Sequence, residues 1–407
     1  MGMNDARRDF LKLAGLAAAA PLLPLPRLAF AQASATAGDV LVVVFQRGGM
    51  DGLNVLVPFA EDDYYRLRPT VSIPRSGSGA VIDLDGRFGL HPALAPLQPA
   101  FAAGELALVH ATGAPSGSRS HFSGMDIMER AALEQPNLAS GWLNRHLQSR
   151  GGGSDFQGVG LGHSVQRSLG GAAPVLGMAA FEEFALQTRS ARADAMAATL
   201  DALYAGTATM DAVAHTAFRA MDQLQHADPA QFAAANGADY PATTFGRQLQ
   251  QVAQLIKADV GLEAAAVDIG GWDHHNDELR LLAPLLDEFA RGLAALRTDL
   301  GPLMSKVCLV SMSEFGRRAY ENASGGTDHG TGNCLFVLGG GVAGGRVYAD
   351  WPGLRDADLV RGDLAITTDY RSVLAEMLRK RRGETALAQV FPGFAGTMEL
   401  GIFRAGG

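Results

Sequence analysis

The chain has 407 residues, 47% of them hydrophobic and 19% charged, with 34 basic against 42 acidic side chains and a formal net charge of −8. That length and apolar content fill one large core or two ordinary ones, and the acidic balance offers no basic stripe for nucleic acid. Two cysteines, Cys308 and Cys334, exclude a disulfide framework and a cysteine-based zinc site.

At the start of the chain, Arg7-Arg8-Asp9-Phe10-Leu11-Lys12 leads into a short apolar run, LAGLAAAAPLLPLP, and then Ala29-Phe30-Ala31. This is a charged n-region, an h-region and a small-x-small cleavage site. The arginine pair with Phe-Leu-Lys behind it resembles the twin-arginine export signal, which carries folded proteins across the bacterial inner membrane. The plainer reading is an ordinary signal peptide that happens to hold two arginines. The run is too short and too broken by proline to stay as a membrane span. Residues 1–33 are therefore expected to be removed, leaving residues 34–407 in the periplasm or outside the cell with no transmembrane anchor. Cleavage after Ala31 takes away four basic and two acidic residues, so the mature chain is more acidic still.

Next comes Val40–Phe45, a continuous run of β-branched and apolar residues of the kind that suits a strand buried on both faces. Similar runs are Leu106–His110, Ala264–Asp268, Val307–Ser311 and Cys334–Leu338. Both cysteines lie in such runs, as buried thiols or as a bridge between neighbouring strands. Phe122 to Leu133 reads as helical. So does Asn276 to Leu300, with an apolar stripe of Leu279, Leu282, Leu285, Leu286, Phe289 and Leu293. A last helix, Thr368 to Arg381, has Thr368 or Asp369 as its cap. Strands alternating with long helices predict an α/β fold with a mostly parallel central sheet flanked by helices. Residues 188–258 predict a helical insertion of three Ala- and Gln-rich helices, about 188–205, 208–226 and 244–258. Residues 61–90 and 151–173, rich in Gly, Ser, Arg and Asp, read as long surface loops.

Ligands of open α/β sheets sit at the carboxyl ends of the strands, so the segments there carry the chemistry. They are Gln46-Arg47-Gly48-Gly49-Met50-Asp51-Gly52-Leu53-Asn54, Ser118-Arg119-Ser120-His121, Gly270-Gly271-Trp272-Asp273-His274-His275-Asn276 and Ser313-Glu314-Phe315-Gly316-Arg317-Arg318. The loop GTDHGTGN, Gly326 to Asn333, opens the fifth run. A loop that only turns the chain needs Gly and Asn, not a histidine. Imidazole nitrogens and carboxylate oxygens are the ligands of zinc or another divalent cation. Each piece has a plainer use: an Asp after a strand caps or turns, and Ser313-Glu314 can cap the next segment. The adjacent rings of His274 and His275 diverge, so that only one serves as a ligand. His91, His110 and His163 stand alone beside apolar or glycine residues and read as structural. Gly339-Gly340-Gly341-Val342-Ala343-Gly344 fits G-x-G-x-x-G, but Arg346-Val-Tyr-Ala-Asp-Trp-Pro comes after it instead of a helix, so no pyrophosphate seat forms.

Together, RRDFLK, GGMDGLN, SRSHF, GGWDHH, SEFGR and GTDHGTGN resemble the bacterial family catalogued as domain of unknown function 1501, which is placed in the alkaline phosphatase and sulfatase superfamily. The resemblance implies an alkaline phosphatase-like fold over nearly the whole mature chain. It implies Asp51 as the first-strand metal carboxylate and Ser120, with Ser118 as the alternative, as the nucleophile. Asp273, His275 and His329 would share one metal, and Glu314 and Phe315 fall on the superfamily's Asp-His pair. Phe315 cannot ligate, and Asp273 and His275 are two residues apart where the superfamily has four. His121 or His274 is left to supply the missing ligand, or the second metal position stays empty.

A serine at a helix start gains from the positive end of the helix dipole, which also favours an anionic substrate. The plainer use of Ser120 is as an N-cap. Arg47, Arg119 or Arg317 would hold the anionic oxygens of a substrate, and Asp328 would orient a ligand ring or a neighbouring arginine. The reading is an exported metal-dependent hydrolase of a small phosphate or sulfate ester, with zinc as the metal. Its rival is a non-catalytic metal- or ligand-binding protein on the same scaffold, working with a second exported protein.

Overall fold

Val40–Arg47, VLVVVFQR, forms the central strand β1 because its alternate side chains find apolar partners on both faces. Val40, Val42 and Val44 belong to one core cluster and Leu41, Val43 and Phe45 to another. The structure is a computed structural model that describes residues 39–162, 164–180, 219–396 and 399–406, except 222 and 225. The export segment, His163, the first predicted helix of the insertion and most of the second lie outside the described residues.

The main sheet has nine strands. In chain order they are β1, β5 (Leu106–Gly113), β6 (Gly158–Leu161), β7 (Leu176–Met178), β8 (Ala264–Gly270), β9 (Val307–Met312), β10 (Asn333–Gly339), β11 (Arg346–Tyr348) and β12 (Thr368–Asp369). The spatial order is β11-β5-β10-β9-β1-β8-β6-β7, with β12 beside β5. β1 pairs in parallel with both β8 and β9, so the chain reverses its direction of growth around it. Among these nine strands only β10 runs antiparallel to its neighbours. A small second sheet pairs β2 (Leu56–Val57) with β4 (Gly89–Leu90) and β4 with β3 (Ile82–Asp83).

One face is covered by α4 (Thr244–Lys257) and α5 (Glu278–Leu300), the other by α2 (His121–Arg130), α3 (Trp142–Arg150) and α6 (Tyr370–Arg382). A four-residue helix, α1 (Gly52–Val55), follows β1. In α4, Phe245, Leu249 and Val252 share one face, and Thr243 caps the start by accepting from Gly246 N at 3.1 Å. In α5, Leu282, Leu286, Phe289 and Leu293 point into the core. Asp369 caps α6 by accepting from Arg371 N at 2.9 Å.

Two segments depart from the surface-loop reading. Residues 61–90 hold a helix, Asp62–Leu67, two strands of the small sheet, and the buried side chains Tyr64, Arg68, Val71, Ile73 and Phe88. Residues 151–173 hold β6, whose four residues GVGL are all buried. A Cβ at Gly158 would come within 2.6 Å of Val175, and one at Gly160 within 2.5 Å of Gln166. These glycines permit close packing in a strand. The cysteines are buried free thiols. Gly339 pairs with Cys308 across β9 and β10, which puts Cys334 at the far end of its own strand. The glycine run 339–344 leads into β11 and, as its sequence implies, opens no helix.

Candidate metal centre

β8, β1 and β9 are adjacent, so the loops leaving them meet at one edge of the sheet. β10 runs the other way, and its beginning therefore lies at that same edge. This places the loop Gly326–Gly332 beside the ends of the parallel strands. Helix α2, which follows β5, contributes its first residue, His121.

Three imidazoles gather on Asp273. His329 Nε2 lies 3.1 Å and His275 Nε2 3.0 Å from Asp273 Oδ1, and the two Nε2 atoms are 3.0 Å apart. His121 Nε2 is 3.4 Å from Asp273 Oδ2. His121, Asp273 and His329 each offer a ligand atom within 4.8 Å of the others. Each ring is held from behind through Nδ1. His121 Nδ1 donates to Glu314 Oε1 at 2.7 Å, His275 Nδ1 to Asp328 Oδ1 at 3.0 Å and His329 Nδ1 to the Arg119 carbonyl at 2.9 Å. Carboxylates and carbonyls only accept, so the proton sits on Nδ1 in all three rings and the Nε2 lone pairs face inward.

This geometry fits a cation. His121 Nε2 is buried with no hydrogen-bond partner. The facing Nε2 atoms of His275 and His329 would set lone pair against lone pair with nothing between them. A proton relieves one such contact; a metal ion would satisfy His121, Asp273 and His329 together. Ligand atoms around a tetrahedral zinc lie roughly 3.3 Å apart for bonds of about 2.0–2.1 Å, close to the separations seen. Burial, opposed by the bonds to the Arg119 carbonyl and Asp273, lowers the pKa of His329, and the Arg317 guanidinium adds to the lowering. Burial pushes the Asp273 carboxyl up, but the hydrogen bond and charge of Arg317, with His329 and His275, outweigh it and bring the pKa to about 2. Phe315 is an apolar wall, its ring 5.0 Å from that of His121 and 4.8 Å from that of His329.

Other expected site residues take different places. Glu314 is the partner that orients His121, and it also accepts from Gly48 N at 2.9 Å and Ser313 Oγ at 3.0 Å. Asp51 is 2% exposed, and its two oxygens accept from Arg68 at 2.6 and 3.1 Å while it caps α1. A guanidinium stands where the sequence suggested a metal. His274 turns away from His275, and its Nδ1 has no partner. Ser120 is the exposed N-cap residue of α2, yet its side chain makes no capping bond. Ser118 accepts from Ser120 N at 3.4 Å.

The three arginines expected to grip a substrate are all engaged within the protein. Arg47 binds Glu129 at 3.0 and 3.2 Å and Asp268 at 2.9 Å. Arg119 binds Asp363 at 2.5 Å. Arg317, fully buried, donates to the carbonyls of Gly48, Gly49, Trp272 and Thr327 and to Asp273 at 2.7 Å. Arg317 thus holds Asp273 in place and is not free for a substrate.

Sequence reading missed Arg68. Completely buried, it makes five hydrogen bonds: two to Asp51, one to Asn54 Oδ1 and one each to the carbonyls of Arg318 and Ala319. Glu278 lies beside this pair, bonded to Asn54 Nδ2 at 2.9 Å and Thr327 Oγ1 at 2.8 Å. Burial alone would raise both carboxyls. The Arg68 charge holds Asp51 below the usual carboxylate range. Glu278, buried against Asp51, is pushed well above it. No signal in the 61–90 segment points to this role.

Fold and site define a three-layer α/β protein with a histidine–carboxylate cluster at the carboxyl edge of its sheet. The chain belongs to the family described as protein of unknown function (DUF1501), whose model matches residues 39–379. No curated protein matches it. Among solved structures it is similar to the C-terminal periplasmic domain of EcEptC from Escherichia coli (10% identity, 90% of each chain, TM-score 0.37). It is also similar to the PsFucS1 sulfatase from Pseudoalteromonas sp. (12% identity, 90% of this chain and 73% of that one, TM-score 0.39). A third is the lipoteichoic acid synthase LtaP from Listeria monocytogenes (9% identity, 83% and 76%, TM-score 0.32). At this level of likeness the chemistry is read from the site's own residues.

Proposed function

We propose that His121, Asp273, His275 and His329 hold one divalent metal ion, zinc by the chemistry of the donors, and that the protein is an exported metal-dependent hydrolase of phosphate or sulfate esters. The observation that carries the metal is the pinning of three Nδ1 atoms, which turns three Nε2 lone pairs onto one carboxylate. Bound there, a divalent ion would polarise an ester oxygen and lower the pKa of a nearby hydroxyl. Ser120, exposed at the start of α2 and next to His121, is the proposed nucleophile. The free N–H groups of that ten-residue helix favour an anion beside it. Glu314, Asp328 and the Arg119 carbonyl keep the rings in the ligating tautomer, and Arg317 keeps Asp273 ionised. Export by the twin-arginine route is part of the same reading.

Protein purified without added metal should contain one ion per chain. His121→Ala and His329→Ala should each lose it, with a loss of affinity of tenfold or more, while His91→Ala keeps it. Metal-free wild type that takes up no zinc in a titration would sink the metal reading.

The hydrolase is tested separately. Ser120→Ala should abolish turnover of aryl phosphate or sulfate esters and leave metal content unchanged. Because the Ser120 side chain makes no capping bond, the usual capping loss of about 0.5–2 kcal/mol should be absent. One observation favours the rival, a binding protein that works with a second exported protein: Arg47, Arg119 and Arg317 are all occupied by groups of the protein. Metal-loaded wild type inert toward both ester classes decides for that rival.

A further inference from the structure

Beside Asp273 opens a cleft of about 360 Å³, at the lower end of the roughly 300–1,000 Å³ of small-molecule sites. Its wall is one stripe of α5: Leu281, Pro284 and Leu285, ending in Glu288. These residues are spaced i, i+3, i+4 and i+7 and so share a helix face. The core-facing stripe of α5 is a different one, through Leu282, Leu286 and Phe289. The cleft stripe is apolar, yet Leu281 and Leu285 are only half-buried and Pro284 is exposed.

Charge in the cleft is of one sign. Among the described residues no lysine or arginine lines it, and its two carboxylates are Asp273 and Glu288. The one imidazole in its wall, His274, is buried, and its Nδ1 has no hydrogen-bond partner. Asp273 is taken up by Arg317 and the other imidazoles. Glu288 makes no hydrogen bond or ion pair among the described residues, although its neighbour Asp287 reaches Arg291 at 3.9 Å. Phe122, next to His121 in the chain, is 91% exposed but is not part of the cleft's lining. Water-facing apolar groups beside a polar centre, with one free carboxylate, are the features of a small-molecule site that has an orienting charge.

We infer that this cleft takes the organic part of the substrate, and that this part has an apolar body ending in a cation, as in an alkyl- or aryl-ammonium alcohol. The inference rests on the metal-centre reading, which puts the ester's anionic group at Asp273 and its neighbours. The substrate is then dipolar: its anion lies at the imidazole cluster, its carbon chain against Leu281 and Leu285, and its cation at Glu288. Esters whose alcohol carries a second anion are rejected, because nothing in the cleft neutralises it.

The test is binding of three probes of one shape, phenethylamine, phenethyl alcohol and phenylacetate, to the metal-loaded full-length protein by saturation-transfer NMR. The amine should bind about two- to fivefold more tightly than the alcohol, as expected of a partly exposed ion pair, and the acid most weakly. Glu288→Gln should bring amine and alcohol to equal affinity with metal content unchanged. Leu285→Ser should weaken amine and alcohol alike. Equal binding of amine and acid, an amine preference that survives Glu288→Gln, or no binding of any probe overturns the inference. The same titration on chelator-treated protein separates it from the metal reading. Glu288-dependent amine binding in a protein that takes up no metal upholds the cleft and removes the metal centre; metal uptake without amine preference does the reverse.

Discussion

His110 shows how much a ring's partners decide. Its Nε2 donates to the Leu56 carbonyl at 2.8 Å, its Nδ1 accepts from Ala111 N at 2.8 Å, and the ring packs against Trp351 and Phe88. His91 likewise accepts from Ala93 N at 3.1 Å. Both read as structural histidines from their apolar surroundings in the sequence. Burial lowers each pKa from 6.5 to about 4. A folded pKa below the unfolded one means that the unfolded chain binds more protons between those values. Stability is then present above about pH 6.5 and is lost as pH falls toward 4, by about 3 kcal/mol per histidine. Urea denaturation of chelator-treated protein at pH 7, 5.5 and 4.5 should show this fall, and His110→Gln should make it shallower. A flat profile over that range would mean that neither ring is held neutral. For His329 the legible feature was an imidazole in a loop of glycines that has no turn-forming use for it. The arginines at the edge were legible as cations. Their partners, Asp268, Glu129 and Asp363, lie far away in sequence or in segments with no pattern, so the sequence could not reveal that they are occupied.

Elements written in β-branched residues or with a helical stripe could be read directly: β1, β5, β8, β9, β10, α5 and α6 fall where the apolar runs and caps put them. The antiparallel direction of β10 could not, because a strand buried on both faces has the same composition either way. That direction is what brings His329 to the ends of the parallel strands. β6 was hidden by its glycines and Arg68 by the polar composition around it. Arg68 also bears on the metal count. With both Asp51 oxygens held by its guanidinium, no second cation is needed at the end of β1, so metal analysis should find one ion per chain and not two. Arg68→Met removes the buried partner of Asp51 and should cost about 3–5 kcal/mol, read as a lower urea midpoint. A cost under about 1 kcal/mol would show that Asp51 does not depend on Arg68.

At the scale of the whole molecule, the site exists only when the sheet is complete. Its residues come from the loops after β1, β8 and β9, the approach to β10 and the start of α2, so no local segment can preform it. The proposed metal affinity and folding are therefore linked: a centre whose ligands meet only in the native state stabilises that state when filled. Among the described residues no helix is long and apolar enough to cross a membrane. A chain of this kind suits an export route that accepts folded cargo, which is the proposed meaning of Arg7-Arg8 ahead of Phe10-Leu11-Lys12. The Arg7→Lys/Arg8→Lys double variant should stay in the cytoplasm, folded and with the same urea midpoint as the wild-type precursor, since the change lies outside the segments that build the sheet. Fractionation and then metal analysis of the retained protein check both parts. If the ion is acquired before transport, the retained variant carries it; if it is acquired afterwards, the variant is folded, metal-free and takes up one equivalent on titration. Arrival of the double variant in the periplasm at the normal level would assign the segment to the ordinary secretory route, and the centre would then have to assemble from an unfolded chain outside the cytoplasm.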